Sequence, residues 1–228
     1  MEKTSVFNLI ILDESGSMGP TCRATIDGCN ETINMIKSAQ ESHADTQKHF
    51  LSIYAFQSNS NRPSHYICKN AKAEDVKLLD DADYQPWRGT PMLDAIGMTI
   101  TDLKAVAATH EDAVGVVTII TDGYENASSE YSWRMVRDLI SEVKELGWQV
   151  NFIGANIDVD KVADDLNIQA RMNYRSDEIG IRMMHKEYRN AMMAHMDNCD
   201  TDVQYSKAER IERRKKRAAN FFKHPDKS

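Results

Sequence analysis

Apolar residues along the chain are concentrated in four short runs, which are separated by longer stretches of mixed polar and apolar residues. The runs contain few polar positions and many β-branched residues, which is typical of strands that are buried on both faces of a sheet. The sequence therefore predicts four buried strands, at Val6 to Leu12, Phe50 to Phe56, Val114 to Thr121 and Val150 to Gly154.

Between these strands, apolar residues recur every three or four positions, as they do on the buried face of a helix. Three such stripes are Ile26, Cys29, Ile33 and Ile36; then Leu93, Ile96, Ile100, Leu103 and Ala107; and then Trp133, Val136, Ile140, Val143 and Leu146. Gly147 follows the third stripe, where we expect it to end the helix. Strands that alternate with helices predict a mainly parallel sheet with helices on both faces, a three-layer α/β fold.

Weaker patterns extend this arrangement. Tyr66 to Lys69 predicts an antiparallel edge strand, Val159 to Leu166 a short helix, and Arg171 to Tyr174 a final strand. From Asp177 onward the pattern is helical and rich in methionine. We therefore divide the chain into a domain at residues 1–176 and a C-terminal helical extension at residues 177–228, which ends in a basic tail.

The composition is that of a folded globular protein, with 41% hydrophobic and 28% charged residues in a chain of 228. This length fits one domain with an appendage. The net charge of −7 hides an asymmetry, since residues 206–228 carry nine Lys/Arg against three Asp/Glu. The remaining body is acidic, which argues against a nucleic-acid-binding body and leaves any such role to the tail.

The start of the sequence does not have the pattern of a secretory signal peptide, and no stretch of about 18 consecutive apolar residues could span a membrane. The four cysteines, Cys22, Cys29, Cys68 and Cys199, lack the close spacing of a zinc site or a redox motif. We therefore expect reduced thiols in a cytoplasmic protein that does not associate with membranes.

Oxygen-bearing side chains follow or precede the predicted elements at three points. Asp13, Ser15 and Ser17 come directly after the first strand, Thr90 precedes the second helical stripe, and Asp122 follows the central strand. In open α/β sheets such loops meet at the carboxyl ends of the strands, where ligands bind. Two carboxylates and three hydroxyls without a nearby histidine or cysteine suit Mg²⁺ or Mn²⁺ and disfavour zinc. The sequence therefore predicts a divalent-metal site formed by these five residues.

Each of these fragments also has an ordinary structural explanation. Thr90 followed by Pro91 fits a helix N-cap with proline at the first helical position. Asp122 and Gly123 fit a simple turn, and Asp13 to Ser17 fit a turn that leads into a helix. The metal interpretation depends on the occurrence of all three fragments in this order.

Asp13-x-Ser15-x-Ser17, Thr90 and Asp122-Gly123 together resemble the metal-ion-dependent adhesion site (MIDAS) of von Willebrand factor type A (vWA) domains. The resemblance covers roughly residues 5–175 and is greatest to small standalone bacterial and phage members, through Phe7 to Met18 and Ile119 to Ser128. It implies that the three hydroxyls coordinate the metal directly, while Asp13 and Asp122 act largely through water. An open coordination position would then accept an Asp or Glu side chain of a partner protein.

The resemblance thus implies a non-enzymatic, metal-dependent protein-interaction module. Two other functions stay open: a Mg²⁺-dependent phosphoryl-transfer enzyme, and nucleic-acid binding through the basic tail. Against the first, Ser15 stands where a haloacid-dehalogenase-like phosphatase would have its second carboxylate, and the sequence has no P-loop motif. The tail could equally dock on an acidic surface of its own or a neighbouring chain, which would suggest self-association through the C-terminal helices.

Four further residues lie near the motifs in sequence. We expect Glu14 and Glu125 to be solvated loop residues rather than metal ligands. Tyr84 and Trp87 precede Thr90 closely and could form a wall of the site, but we expect both to pack in the core.

Overall fold

The computed structural model describes residues 3–222, and six strands in this part of the chain form one sheet. The strands are β1 (Thr4–Asp13), β2 (Gln47–Asn59), β3 (Arg62–Lys72), β4 (Ala113–Thr121), β5 (Gln149–Gly154) and β6 (Ala170–Asn173). Their order across the sheet is β3-β2-β1-β4-β5-β6. Neighbouring strands are parallel except for β2 and β3, so the sheet is mainly parallel with one antiparallel edge strand, as predicted.

Six α-helices accompany the sheet in residues 3–222. They are α1 (Cys22–Ser42), α2 (Met92–Ala107), α3 (Trp133–Glu145), α4 (Val159–Asp165), α5 (Glu178–Asp202) and α6 (Lys207–Ala218). The predicted helical stripes lie in α1, α2 and α3, although Trp133 and Leu146 at the ends of the third stripe are 38% and 44% exposed. The backbone of Gly147 has a φ of +78°, which is the left-handed conformation expected of a residue that ends a helix.

The central strand β1 is buried along its whole length and separates two cores. Val6 and Ile10 face a core formed with α1 and α5, whereas Phe7 and Leu9 face a core formed with α2, α3 and α4. Successive side chains of a strand point to opposite faces, so one apolar strand supplies both cores. The result is a three-layer α/β fold in which helices cover both faces of the sheet.

The C-terminal helices pack against the rest of the chain. The helix α5 contributes Ile181, Met184, Tyr188 and Met192 to the core that it shares with α1. Methionine at these positions fills space in the core. The domain boundary at residue 176 remains a prediction. The buried side of α5 is continuous with the core formed by the preceding residues.

The helix α6 carries most of the basic tail and pairs with acidic residues of the same chain. Arg210 and Arg214 lie 2.6 and 3.6 Å from the Asp112 carboxylate. Arg213 and Arg217 contact Asp202, whose side chain is fully buried. Lys215 pairs with Glu145 at 2.7 Å. Ion pairs within the chain therefore compensate much of the positive charge of the tail. The last six residues of the predicted tail lie outside the described residues.

No helix among residues 3–222 combines the length and the apolar character that a bilayer-spanning segment requires. All four cysteines in this range are free thiols.

Candidate metal site

The pairing of β1 with β4 brings the first and last motifs of the predicted site together. The two strands are parallel and Leu12 is opposite Ile120, so Asp13 and Asp122 leave the sheet side by side at its carboxyl edge. After Asp13 the chain turns through a short 3-10 helix, Gly16–Thr21, which leads into α1. Loops after two adjacent parallel strands are where ligands bind in open α/β sheets.

Hydrogen bonds join the side chains of the two loops. The Ser15 and Ser17 hydroxyl oxygens are 3.1 Å apart. The Ser17 hydroxyl donates to Asp122 Oδ1 at 2.5 Å. The backbone N–H of Ser15 donates to Asp13 Oδ1 at 2.7 Å, so Asp13 is held against the same turn. These contacts link four of the five predicted residues.

The fifth residue, Thr90, reaches the same place from the loop before α2. A Cβ atom added to Gly123 would lie 3.3 Å from Thr90 Oγ1, 3.7 Å from Ser17 Oγ and 3.9 Å from Asp13 Oδ2. Oxygens from three separate loops therefore surround one point beside Gly123, which a larger residue would fill. The structure thus brings together all five residues of the predicted site.

The cluster is buried on most sides and open on one. Asp13, Ser15, Thr90 and Asp122 are each at most 3% exposed, whereas Ser17 is exposed. Burial raises the pKa of the Asp13 carboxyl to about 6, although hydrogen bonds from Thr121 and Ser15 act in the opposite direction. Burial disfavours the charged form of a carboxyl group, and a nearby cation favours it. A cation bound beside Asp13 would therefore stabilise its ionised carboxylate.

Three further residues support the cluster. The Thr121 hydroxyl donates to Asp13 Oδ2 at 2.6 Å, and the buried Tyr84 hydroxyl donates to the Asp13 carbonyl oxygen at 2.5 Å. The Ser176 hydroxyl donates to Asp122 Oδ2 at 3.2 Å. Thr121 lies directly before Asp122, and Tyr84 lies six residues before Thr90, whereas no local signal indicates Ser176.

Glu14 is buried, and the expectation of a solvated residue was wrong. Its side chain is 0% exposed because its carboxylate accepts hydrogen bonds from partners on other segments. The donors are Gln57 Nε2 at 2.7 Å, the Gln85 backbone N–H at 2.5 Å and Arg62 Nε at 3.3 Å. Glu14 therefore ties the first loop to β2, to β3 and to the segment before Thr90.

The expectation for the two aromatic residues was correct for Tyr84 and wrong for Trp87. Tyr84 is 1% exposed and belongs to the core. Trp87 is 57% exposed, although its backbone N–H is held by the Glu14 carbonyl at 2.8 Å. An aromatic side chain is thus presented to solvent three residues before Thr90.

Thr90 is not the N-cap of α2, contrary to the prediction. The helix begins at Met92 with Pro91 at the cap position, which makes no capping hydrogen bond through its side chain. The first helical N–H groups are satisfied from another loop: Glu125 Oε2 accepts from Leu93 N at 2.8 Å, and Ser128 Oγ accepts from Asp94 N at 3.0 Å. The Thr90 hydroxyl is therefore not needed for capping, and Glu125 has a structural role.

The donor set fits a hard divalent cation. Adjacent ligands of an octahedral Mg²⁺ ion, each about 2.1 Å from the metal, are about 3.0 Å apart, and the Ser15 and Ser17 hydroxyl oxygens are separated by 3.1 Å. Residues 3–222 contain no group of three or more His, Cys, Asp or Glu side chains arranged to hold a metal ion. The cluster contains only two carboxylates, and its other donors are hydroxyls, which suit Mg²⁺ or Mn²⁺ better than zinc.

No protein-family model matches the sequence, and no curated protein matches it. Similar solved structures are a von Willebrand factor type A protein from Catenulispora acidiphila (TM-score 0.55, 16% identity), the pilus adhesin SpaC from Lactobacillus rhamnosus GG (0.61, 12%) and manganese-loaded Plasmodium vivax TRAP protein (0.50, 16%). These matches cover 83%, 86% and 80% of this chain and 43%, 31% and 72% of the other chains. The chain thus spans less than half the length of the first two.

At these identities the similarity is one of fold. The mainly parallel six-stranded sheet with helices on both faces fits the three-layer α/β fold of these structures. The protein therefore has the fold of a von Willebrand factor type A domain, and the five residues of its MIDAS-like motif lie together at the carboxyl edge of the sheet.

Proposed function

We propose that this protein is a non-enzymatic, divalent-metal-dependent protein-interaction module, in which Asp13, Ser15, Ser17, Thr90 and Asp122 hold Mg²⁺ or Mn²⁺. The observation that carries the proposal is the convergence of Asp13, Ser17 and Thr90 on one point beside Gly123, with Ser15 and Asp122 joined to them by hydrogen bonds. Ser17 is exposed. The manganese-loaded TRAP structure, which has a similar fold, supports a divalent metal ion at this site.

The chemistry of the cluster favours binding of an acidic partner. When bound, the cation would supply a positive charge that attracts a carboxylate from outside. Ser15, Ser17 and Thr90 would contribute neutral oxygens and leave that charge largely uncompensated. Asp13 and Asp122 are already engaged by hydrogen bonds from Thr121, Ser17 and Ser176. We therefore infer that the partner presents an Asp or Glu side chain.

Two exposed aromatic residues lie close in sequence to residues of the proposed site. Trp87 is 57% exposed and lies three residues before Thr90, and Tyr124 is 54% exposed and lies two residues after Asp122. Tryptophan and tyrosine are enriched among the residues that dominate binding energy at protein interfaces. We infer that they form part of the surface that contacts the partner around the metal.

Metal binding is tested by calorimetric titration with Mn²⁺. We expect one site per chain in the wild type, a loss of binding in Asp13→Ala, and at least about tenfold weaker binding in Thr90→Val, which removes a hydroxyl while preserving shape. Glu130→Ala is the matched control, because it removes an exposed carboxylate from the loop after Asp122. Equal Mn²⁺ affinity in all four proteins would refute the assignment of the site.

Partner binding is tested by affinity capture in Mg²⁺ and in EDTA. Proteins retained by the wild type and Glu130→Ala in Mg²⁺, but not in EDTA and not by Thr90→Val, would be candidate partners. For each, replacing its interface Asp or Glu by Asn or Gln should abolish binding. A partner that binds equally in EDTA would contradict the metal-dependent mechanism.

The proposal that the protein is not an enzyme is tested separately. Hydrolysis of phosphate esters or ATP in Mg²⁺ that disappears in Asp13→Ala would support the phosphoryl-transfer alternative. We further propose a cytoplasmic location, because all four cysteines are free thiols.

A further inference from the structure

A second candidate site lies at the opposite edge of the sheet, where β1, β4 and β5 begin. Here α6, the end of α2 and the segments before β4 and β5 enclose a pocket of about 220 Å³, which we call the amino-edge pocket. Its polar lining consists of Lys104, His110, Asp112, Lys207 and Arg214, and Trp148 is part of its apolar wall. Pockets for drug-sized ligands measure roughly 300–1,000 Å³, so this one suits a smaller molecule.

Arg214 lines this pocket, and its guanidinium is buried with unused donors. Arg214 is 4% exposed, and its Nε and Nη2 atoms have no hydrogen-bond partner among residues 3–222. A buried charged donor without a partner is costly, and the cost falls when an acceptor arrives. The Nε–H and the adjacent Nη2–H form one side of the guanidinium fork, the geometry that binds two oxygens of a carboxylate or phosphate at once.

The nearest carboxylate does not satisfy these donors. Asp112 approaches Arg214 through Nη1, at 3.6 Å, and makes no hydrogen bond with Nε or Nη2. Its Oδ2 atom already accepts hydrogen bonds from the Thr4 hydroxyl and from Arg210 Nη1, each at 2.6 Å. Asp112 is therefore shared among several donors, and the Nε and Nη2 side of Arg214 is left for another acceptor.

The lining of the pocket is also positively charged. Three cationic side chains, Lys104, Lys207 and Arg214, line it together with one carboxylate, Asp112. Lys104 pairs with Glu142 at the surface, whereas Lys207 donates to the Glu111 backbone carbonyl at 2.6 Å and so keeps its full charge. Such a pocket attracts anions and repels cations.

We propose that the amino-edge pocket binds a small oxyanion, a phosphate or carboxylate group, through Arg214 and Lys207. The wall formed by Trp148 and the neighbouring alanines accommodates a short apolar group attached to the anion. The pocket is independent of the candidate metal site, because β4 separates the two edges by nine residues, about 30 Å at 3.3 Å per residue.

The probes are inorganic phosphate and phenyl phosphate, with benzyl alcohol as an uncharged aromatic control. Titrations are followed by calorimetry and by the shift in melting temperature. EDTA is present throughout, because a metal ion at the opposite edge would itself attract an oxyanion. We expect saturable binding of phenyl phosphate at one site per chain, a higher melting temperature on binding, and no effect of benzyl alcohol.

Two variants and a matched control locate the site. Arg214→Met should weaken phenyl phosphate binding at least about tenfold, and Lys207→Met, at an exposed position, about threefold or more. Lys215→Met removes a basic residue of the same helix that pairs with Glu145 outside the pocket, and it should leave the affinity unchanged. If Arg214→Met does not fold, Lys207→Met decides.

Two results would overturn the proposal. The first is the absence of saturable binding of either phosphate probe to the wild type. The second is a dissociation constant that is the same in Lys207→Met, Lys215→Met and the wild type, since this would place binding elsewhere. Neither result bears on the proposed metal-dependent function.

Discussion

The imidazole of His185 is expected to make the stability of this protein sensitive to mild acid. His185 lies in α5, is 1% exposed, and neither of its ring nitrogens has a hydrogen-bond partner among residues 3–222. It packs directly against Gly28 of α1, where an added Cβ would lie 1.9 Å from the ring. Burial, with a smaller contribution from Arg189, lowers the pKa of His185 from 6.5 to about 3.

The direction of the effect follows from proton binding. In the unfolded chain the imidazole takes up a proton as the pH falls below about 6.5, whereas the folded protein keeps it neutral until about pH 3. The unfolded state then binds more protons, so stability decreases as the pH falls through this window. With these two pKa values, His185 alone costs about 2 kcal/mol at pH 5 relative to pH 8.

The measurement is urea unfolding of the wild type and His185→Leu at several pH values between 8 and 5. The free energy of unfolding of His185→Leu should be equal to or greater than that of the wild type at pH 8, because an unpartnered buried polar group is removed. It should then exceed that of the wild type by about 2 kcal/mol more at pH 5 than at pH 8. Tyr188→Phe, also in α5, is the control and should change stability equally at all pH values.

Other groups that titrate, including Asp13, contribute equally to the wild type and the His185→Leu curve and cancel in their difference. Parallel curves for the two proteins between pH 8 and pH 5 would therefore refute the reasoning. They would mean that His185 accepts a proton in the folded state or is reached by water there.

Three further predictions concern single contacts. Gly147→Ala should lower the free energy of unfolding by about 1–2 kcal/mol, since φ is +78° and the Cβ would lie 3.2 Å from Ile211 Cα; an unchanged urea midpoint would contradict this. Asp202→Asn should cost about 2–3 kcal/mol in the same assay, because it leaves two arginines of α6 without their buried carboxylate; a change below about 0.5 kcal/mol would show that α6 docks without these pairs. Glu125→Gln should weaken Mn²⁺ binding in calorimetry by roughly threefold or more, because glutamine keeps only one acceptor oxygen and cannot serve both the loop N–H groups and Leu93 N–H. Glu130→Gln should leave the affinity unchanged, and equal affinities of both variants would exclude this positioning role.

The sheet and its helices were predictable because their signals are local. Val6 to Leu12 and Val114 to Thr121 are apolar without alternation, as strands must be when helices cover both faces. The same order of elements places Asp13 and Asp122 after adjacent parallel strands. Their convergence therefore follows from the topology, and the five residues of the candidate site were found without knowledge of side-chain positions.

The supporting contacts were not predictable, because they depend on residues far apart in the chain. Glu14 is sequestered by Gln57, Arg62 and Gln85, none of which is close to it in sequence. The start of α2 is capped by Glu125 from the loop after β4, so Thr90 is free of the capping role that its sequence context suggested. Neither the burial of Glu14 nor the capping of α2 by Glu125 leaves a pattern in the local sequence.

The basic tail shows most clearly the difference between features that the sequence indicates and features that only the tertiary structure determines. Its composition identified a charged segment, and the capping box of Ser206 and Glu209 marks the start of a helix. Only the folded chain brings Arg210 and Arg214 against Asp112, about a hundred residues away, and leaves two buried donors of Arg214 without a partner among residues 3–222. Hydrophobic periodicity and the succession of strands and helices depend on residues that are neighbours in the chain, so the sequence alone determines them. The pairing and desolvation of charges depend on which distant surfaces come into contact, and only the tertiary structure determines those contacts.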